Sequence, residues 1–550
     1  WLKPFSLRGL PQSPARRTRR GRAGGCLPPT PSSLGPAGAG RPARGGMTAS
    51  AKSKAPIRFR ALEKVRVRPP SLVQTCLKRV AANFLSYDNL QSKLGRKQLE
   101  DVYAMLDLQM PLPEAATRIS DESYWKRRTQ AKHRNAQVEK HGLSWKQTFL
   151  ELELQEVLER LPITVEYNSP EWEALKLQVR ASRLHVFQLT IAQFPSHVDF
   201  SFLFDELPAL CSFSVTYGNK RLGMDYERAM FGMKISDAQY LARNIRVSQT
   251  LVSLSLPCNM IDDELVKVLM GGLSFGHMLT QLDLSHNKIG DRGARRLASL
   301  LDPDYCLQIL DLSDNQIHAN GCMHLGAHLA ENTTCESLNI RLNRCEDNGV
   351  SHLFQDLCVN KHLKQLNISC NDLTVRCLPY MNQMLSENAT LTELDLSANP
   401  LYTPDAEEDL SQSQLGASMM AGDSLQVGAE TVDGGEDAFA GISMSSQFGK
   451  FARCVMRSPS LLKVDIRQCS LPAELAERIT TAVKHRELRA KGIPVEAYER
   501  SRHAPEELEG EPEEGGPAED EAAGEAQAAS APEGAEGAEG GEEEEEAAEP

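Results

Sequence analysis

Apolar residues recur through the middle of the chain in one short pattern, L-x-x-L-x-L-x-x-N. Clear copies are LTQLDLSHN, LQILDLSDN and LTELDLSAN, and weaker copies are LVSLSLPCN, CESLNIRLN and LKQLNISCN. Each copy ends in an asparagine, and neighbouring asparagines are 28 residues apart: Asn259, Asn287, Asn315, Asn343, Asn371 and Asn399. Self-similarity at a fixed period indicates one structural unit repeated along a stack.

Each unit predicts a short strand, a turn and a helix. In LTQLDLSHNKIGDRGARRLASLL, Leu282 and Leu284 alternate with Asp283, so the leucines lie on one face of a strand and the aspartate on the other. Ile289, Gly293 and the following leucines then recur at helical spacing. Because helices are wider than strands, a stack of such units curves, with a parallel sheet inside and the helices outside.

The asparagine at each turn carries a donor and an acceptor that can satisfy main-chain groups left unpaired by the bend. We therefore predict that the six asparagines form a buried structural ladder without a catalytic role. The repeated pattern resembles the leucine-rich repeat superfamily, of the ribonuclease-inhibitor-like type. The predicted fold is α/β: a horseshoe-shaped solenoid of 28-residue strand-helix repeats.

A seventh copy, LLKVDIRQC, ends at Cys469, 70 residues after Asn399. The excess lies in residues 403–449, which carry nine acidic residues and no lysine or arginine, and we expect a disordered acidic insertion there. Residues 450–492 then contain the last repeat and a closing helix that starts near Pro472.

Before the repeats, residues 47–182 are expected to form a small, mainly helical domain. Helices are predicted after Ser71, which can cap the first of them, and at 96–108, 145–161 and 171–182. The segments LHVFQLTIA and LCSFSVTYG resemble degenerate repeats, so residues 183–250 are expected to cap the clear repeats at 251–402. The stretch IRFRALEKVRVR, residues 57–68, is basic and expected to be extended.

The charge is concentrated at the two ends. The chain has a net charge of -13, yet residues 1–46 hold nine lysines or arginines and no acid, while residues 503–550 hold 19 acids and neither lysine nor arginine. The tail cannot bury enough apolar surface to fold, so it is expected to be disordered. The leader precedes the first methionine, Met47, and three interpretations stay open: an organelle transit peptide, untranslated sequence, or a disordered basic tail.

Cysteine usage and hydropathy bear on the compartment. The 13 cysteines lack C-x-x-C spacing, which is typical of free thiols in a reducing compartment. No run reaches the roughly 18 apolar residues of a membrane span, and no secretory signal is visible. We expect no membrane association.

One column of side chains is a candidate partner-binding surface. Each strand contributes the residue between its last two apolar positions, and Arg341 lies near one strand exit. The set is Ser255, Asp283, Asp311, Asn339, Arg341, Asn367, Asp395 and Asp465. Such an acidic and amide-lined strip suits a basic partner. Arg341 could reach a partner, but an internal pair with Asp311 is favoured.

Catalytic, cofactor and metal sites are not expected. Cys322, His324 and His328 have helical metal-ligand spacing, but no second cluster completes a tetrahedral site. The sequence has no G-x-x-x-x-G-K-[ST] phosphate loop and no G-x-S-x-G elbow. The basic segment WKRRTQAKHRNAQVEK from Trp125 could contact nucleic acid or acidic tubulin tails, although a solvated helix face is favoured and no nucleic acid is expected.

Two segments outside the repeat consensus carry a more specific resemblance. DESYWKRRTQAKHRNAQVEKHGLSWKQTFLELELQEVLE and VTYGNKRLGMDYERAMFGMKISDAQYLARNI, followed by the repeats, resemble a family of leucine-rich repeat subunits of the nexin-dynein regulatory complex across residues 71–485. The resemblance implies a non-catalytic structural and regulatory subunit in the axoneme of motile cilia and flagella. The implied partners are other subunits of that complex, with doublet microtubules and inner-arm dyneins contacted directly or indirectly in a hetero-oligomeric assembly. The acidic insertion, the glutamate-rich tail and the basic leader depart from the family pattern.

Two other interpretations remain open. A GTPase activator of the Ran-specific type also joins this long repeat to an acidic tail, and would act by supplying groups to a phosphoryl-transfer site. That class does not need the helical N-terminal domain. A ligase substrate adaptor would need an F-box-like signature before the repeats, which this sequence lacks.

Overall fold

Nine short strands form one parallel sheet in chain order. They are β1 (Gln188–Phe194), β2 (Ser212–Tyr217), β3 (Ser253–Ser255), β4 (Gln281–Asp283), β5 (Ile309–Asp311), β6 (Ser337–Asn339), β7 (Gln365–Asn367), β8 (Glu393–Asp395) and β9 (Lys463–Asp465). The structure, a computed structural model, describes residues 71–219, 227–275, 278–402, 447–496 and 498. The predicted leader, the extended stretch at 57–68, most of the acidic insertion and the tail lie outside these ranges.

Helices of the repeats form the second layer. They are α9 (Ile235–Val247), α10 (Asp263–Leu273), α11 (Asp291–Ala298), α12 (Ala319–Glu331), α13 (Glu346–Val359), α14 (Leu378–Glu387), α15 (Gln447–Arg457) and α16 (Ala473–Ala490). Neighbouring helices pack side by side, and the middle leucine of each repeat strand, such as Leu310, is buried beneath them. The predicted strand-helix solenoid is confirmed.

Within a repeat, the helix start is fixed by an aspartate of the preceding repeat. Asp263 Oδ1 accepts hydrogen bonds from the main-chain N–H groups of Gly290 (2.8 Å) and Gly293 (2.9 Å). Asp291 does the same for His318 and Gly321 one repeat later, at 2.8 and 2.9 Å. A carboxylate at a helix N-terminus satisfies N–H groups that have no partner within the helix. Successive helices are therefore held in phase with one another.

Helices before the sheet form its N-terminal cover. They are α1 (Leu72–Ala82), α2 (Leu90–Lys93), α3 (Arg96–Met105), α4 (Leu112–Arg118), α5 (Glu122–Lys132), α6 (Trp145–Glu159) and α7 (Pro170–Ser182), and α8 (Ser201–Glu206) lies between β1 and β2. Ser71 caps α1 as predicted, with its hydroxyl accepting from the Gln74 N–H. Residues from Pro70 belong to one compact unit with a continuous buried core.

The degenerate segments form the first two strands of the sheet, and the edge of β1 is covered by α6. One expectation needs correction. Helix α15 begins at Gln447, inside the range 403–449 expected to be disordered, because Phe448 and Phe451 bury themselves against the preceding repeat. Among the described residues, no helix is long and apolar enough to cross a membrane.

Candidate functional site on the inner face of the sheet

The six repeat asparagines lie in one row at the ends of the strands, and all are buried. Asn315 is representative: its Nδ2 donates to the carbonyls of Leu284 (3.1 Å) and Leu312 (2.9 Å), and its Oδ1 accepts from the Ile289 N–H at 3.0 Å. One side chain thus joins its own repeat to the one before it. The residue preceding each asparagine, such as Asp314 with φ of 51°, takes the left-handed conformation that turns the chain. This row is the asparagine ladder.

The ladder changes at its two ends. Asn259 reaches back to β2, accepting from the Tyr217 N–H at 2.7 Å and donating to the Val215 carbonyl at 2.7 Å. In the seventh copy, Cys469 occupies the asparagine position, and its thiol donates to the Leu396 carbonyl at 3.2 Å. A thiol is a weak donor with little acceptor strength, so the last step of the ladder is the weakest.

The candidate partner-binding residues also lie side by side. Strand register places Ser255, Asp283, Asp311, Asn339, Asn367, Asp395 and Asp465 opposite one another in sequence, and we call this row the third-position column. Its side chains point away from the buried leucines, toward the sheet face opposite the helices, which we call the inner face. All seven are half-buried.

The carboxylates of the column are already hydrogen-bonded. One carboxylate oxygen accepts a main-chain hydrogen bond just after the aspartate's own strand: Asp311 Oδ1 accepts from the Ser313 N–H at 2.9 Å. The other oxygen accepts from a neighbour in the column, with Ser255 donating to Asp283 (2.8 Å), Asn339 to Asp311 (2.8 Å) and Asn367 to Asp395 (3.1 Å). Three of the acids, Asp283, Asp311 and Asp395, therefore each accept from a hydroxyl or amide donor of the column, which reduces the free negative charge that the sequence predicts here.

The expected pair between Arg341 and Asp311 is not formed among the described residues. Asn339 occupies the second oxygen of Asp311, and the Arg341 side chain is exposed. One strand exit does carry an internal pair: Arg467 Nε donates to the two Asp465 oxygens at 2.9 and 3.0 Å. Hydrogen bonding from Arg467 holds the pKa of Asp465 below its usual value. Arg341 thus lies near a strand exit with its side chain exposed to solvent and, in the described part of the chain, without the ion pair that Arg467 makes.

The inner face deepens toward its C-terminal half. A cavity of about 570 Å³ is lined by β5 to β9 and by Thr480, Val483, Lys484 and Glu487 of α16. Residues at the first strand positions border it, including Ile309, whose exposed fraction is 40%, and the exposed Gln365. Lys463 and Glu393 form an ion pair of 2.6 Å across the last two strands. The cavity therefore has a mixed lining, in which Ile309, Val464 and Val483 lie beside the polar side chains of the column.

Other sequence candidates have structural roles. His328 pairs with Asp302 at 2.6 Å, and Cys322 is fully buried beside Cys345. In the part of the chain that the structure describes, the one metal-compatible triad is His133, Glu153 and Glu156. Lys132 Nζ lies 2.6 Å from Glu153 and 2.9 Å from Glu156, so an ammonium already neutralises that cluster.

Two arginines of the basic segment after Trp125 are used inside the fold. Arg128 is buried, donates to the Tyr124 hydroxyl (3.0 Å) and the Met110 carbonyl (2.7 Å), and stacks over the Phe149 ring. Arg127 donates to the Tyr103 carbonyl at 2.6 Å. The expectation of a solvated helix face is therefore wrong at these two arginines.

A protein-family comparison agrees with the repeats of this architecture. The family model described as Leucine Rich repeat matches residues 277–298, 306–326 and 359–376. The matched segments are leucine-rich repeats, and the fold is a leucine-rich repeat solenoid. Among solved structures, this leucine-rich repeat chain is similar to an internalin from Listeria monocytogenes, with a TM-score of 0.27 and 19% identity over 41% of this chain and 58% of that one.

Curated relatives share one name. Dynein regulatory complex subunit 5 of Chlamydomonas reinhardtii is 39% identical over 194 residues, covering 35% of this leucine-rich repeat chain and 48% of that protein. The protein of the same name from Mus musculus is 32% identical over 228 residues, covering 37% and 46%. The predicted resemblance is confirmed, over a shorter stretch than residues 71–485. The chain spans about half the length of the relatives it matches.

Proposed function

We propose that this chain is a non-catalytic structural and regulatory subunit of the nexin-dynein regulatory complex in the axoneme of motile cilia and flagella. In this role it binds other subunits of the complex, which link neighbouring doublet microtubules and regulate dynein-driven motility. The observation that carries the proposal is the 39% identity to dynein regulatory complex subunit 5 of Chlamydomonas reinhardtii.

Two structural features support a scaffolding role. The buried core runs without interruption from Leu77 to Val483, so the helical segment and the repeats form one body. The inner face offers polar side chains in fixed register along seven strands. A rigid surface with preset hydrogen-bonding groups binds a partner at a lower entropic cost than a mobile one.

The inner face is the proposed docking surface for a subunit of the complex. The aspartates of its third-position column already make internal hydrogen bonds, because one oxygen of each accepts from a main-chain N–H just after its strand. The first-position residues, such as Ile309 and Gln365, are exposed and make few internal bonds. We propose that the partner contacts the first-position row and the remaining donors and acceptors of the column.

The location can be tested on isolated motile cilia. Membranes are removed with detergent, the axonemes are washed in rising salt, and this protein is quantified in pellet and supernatant. A built-in subunit stays with the doublets through washes that release the dynein arms, because attachment by surface charge alone weakens as salt rises. Absence from cilia, or complete release at low salt, would contradict the proposal.

The docking surface can be tested separately with Ile309→Glu combined with Gln365→Glu in the full chain. We expect this double variant to fold normally and to lose incorporation into axonemes, because it places charge in the centre of the inner face. The matched control is Arg292→Glu combined with Arg295→Glu, two exposed positions on α11 in the helical layer. Equal incorporation of both variants would reject the inner face as the docking surface and leave the axonemal role standing.

The alternative of a Ran-type GTPase activator finds no support in the relatives described above. It predicts a distinct result, namely acceleration of GTP hydrolysis by a Ran-type GTPase on addition of this chain. That assay separates the two functions directly.

A further inference from the structure

Helix α15 presents a basic face to solvent. Its buried side consists of Phe448, Gly449, Phe451, Ala452 and Val455, and its outer side carries Lys450, Arg453 and Arg457. These cations are three and four residues apart, which aligns them along one side of a helix. No acid occurs in the helix, so the face is purely cationic.

A surface cavity accompanies this face. Its volume is about 450 Å³, and it is lined by the three cations together with Leu385, Ser386, Cys454, Ser458 and Pro459. Lys450 and Arg457 are exposed, and the ion pairs found among the described residues involve neither of them. A concave basic surface with apolar walls suits an extended acidic peptide, since carboxylates can reach the cations while small side chains fill the cavity.

Helix α16, which precedes the glutamate-rich tail along the chain, packs against the end of α15. In α16, Arg486 Nη2 donates to the carbonyls of Val455 (3.0 Å) and Met456 (2.7 Å), and its Nη1 contacts the Leu461 carbonyl. The last turns of α15 and the second half of α16 are therefore in direct contact.

We propose that the glutamate-rich tail, residues 503–550, binds the basic face of α15 in the same molecule. The tail has 19 acidic residues and no lysine or arginine, which is the complement of the face. Glu542 to Glu546 are about 45 residues beyond the last described residue, and a flexible chain of that length spans roughly 35–40 Å on average. Tethering at this distance gives an effective concentration on the order of millimolar, so weak contacts suffice. The bound tail shields α15 from other acidic proteins.

The experiment uses the full chain and a zero-length carbodiimide cross-linker. The reagent activates a carboxylate, and the amine of Lys450 then displaces the urea by-product and forms an isopeptide bond. We expect a bond between Lys450 and a glutamate of residues 503–550, recovered from the monomer after proteolysis and identified by mass spectrometry. Absence of this bond, or its recovery only from a covalent dimer, would overturn the proposal.

Two matched variants separate a specific site from general attraction. Arg457→Glu keeps the reactive amine and removes a cation of the face, so the yield should fall by about fivefold, the effect of one surface charge contact. Arg292→Glu makes the same charge change at an exposed arginine of α11, and its yield should match that of the unmodified chain. An equal fall in both variants would show that net charge alone drives the contact, and the proposal would fail.

Discussion

The buried carboxylate of Glu151 on α6 accepts a hydrogen bond from the main-chain N–H of Phe187 at 2.9 Å, immediately before β1. The same oxygen accepts from the Gln188 N–H at 3.0 Å, and the other oxygen contacts His141 Nδ1 at 2.6 Å. Two turns later, Glu159 accepts from the Ala192 N–H at 3.0 Å. Side chains of a helix thus take the place of a neighbouring strand at the open edge of the sheet.

Replacing Glu151 with alanine should destabilise the chain by about 2–3 kcal/mol, because two partly buried N–H groups lose their charged acceptor. Urea unfolding followed by circular dichroism measures this change. Glu139→Ala, at an exposed glutamate of the same segment, should change stability by less than about 0.5 kcal/mol. Similar losses in both variants would show that Glu151 has no special role at the edge.

The asparagine ladder can be tested with an identical substitution at two positions. Asn315→Ala leaves the buried Ile289 N–H without an acceptor and removes one of the two amide donors to each of the Leu284 and Leu312 carbonyls, so a loss of about 2–3 kcal/mol is expected. Asn320→Ala removes an exposed amide from α12 and should be nearly neutral. Both variants are compared by equilibrium unfolding, and a loss below 1 kcal/mol at Asn315, roughly the net value of one ordinary hydrogen bond, would contradict the ladder's role.

Two helical glycines should respond oppositely to alanine. A Cβ at Gly293 would lie 2.6 Å from Asp263 Oδ1 and 2.7 Å from Ile289 Cγ2, so Gly293→Ala should cost about 1–3 kcal/mol. A Cβ at Gly271 meets nothing within 4 Å, so Gly271→Ala should stabilise α10 by about 0.5–1 kcal/mol. Melting temperatures that move in the same direction would contradict the close packing between α10 and α11.

The ion-pair cluster on α16 predicts a pH dependence. Hydrogen bonds from Lys484 (2.8 Å) and Lys491 (2.5 Å) lower the pKa of Glu487 to about 2. A depressed carboxyl pKa stabilises the fold above the unfolded value near 4.5, and this contribution fades as the pH falls toward 2. Because both lysines are well exposed, Glu487→Gln should cost only about 0.5 kcal/mol at pH 7 and less at pH 3.

Unfolding free energies of the unmodified chain and of Glu487→Gln at pH 7 and pH 3 check this sign. Glu474→Gln, at an exposed glutamate near the start of the same helix, serves as the control. A Glu487→Gln effect that grows on acidification would contradict the prediction.

The sequence was sufficient to predict the strands, the ladder and the order of the third-position column. The reason is that residues 28 positions apart occupy equivalent places in successive repeats. The helices predicted at 96–108, 145–161 and 171–182 are observed as Arg96–Met105, Trp145–Glu159 and Pro170–Ser182. Periodicity and caps define such elements locally. The residues of the candidate site and their order along the sheet could therefore be predicted.

Long-range hydrogen bonds could not be predicted in this way. The role of Glu151 depends on contacts with residues 36 and 37 positions later, and nothing in ELELQEVLE distinguishes it from the three half-buried glutamates of the same helix. A second ladder was also missed: Asn332, Asn360 and Asn388 are buried between helices and strands, each donating to a carbonyl 31 positions earlier. Their 28-residue spacing was the available signal. Arg341 was assigned the wrong partner because Asn339, closer in the column, takes the oxygen of Asp311.

The packing of α6 against the edge of β1 also affects self-association of the chain. Unpaired strand edges are where sheets recruit further strands, and this leads to aggregation. Two oriented glutamates and a packed helix leave β1 with no free ladder of donors for another molecule. The addition of a strand from a second copy is therefore opposed at this edge of the sheet, even at high local concentration.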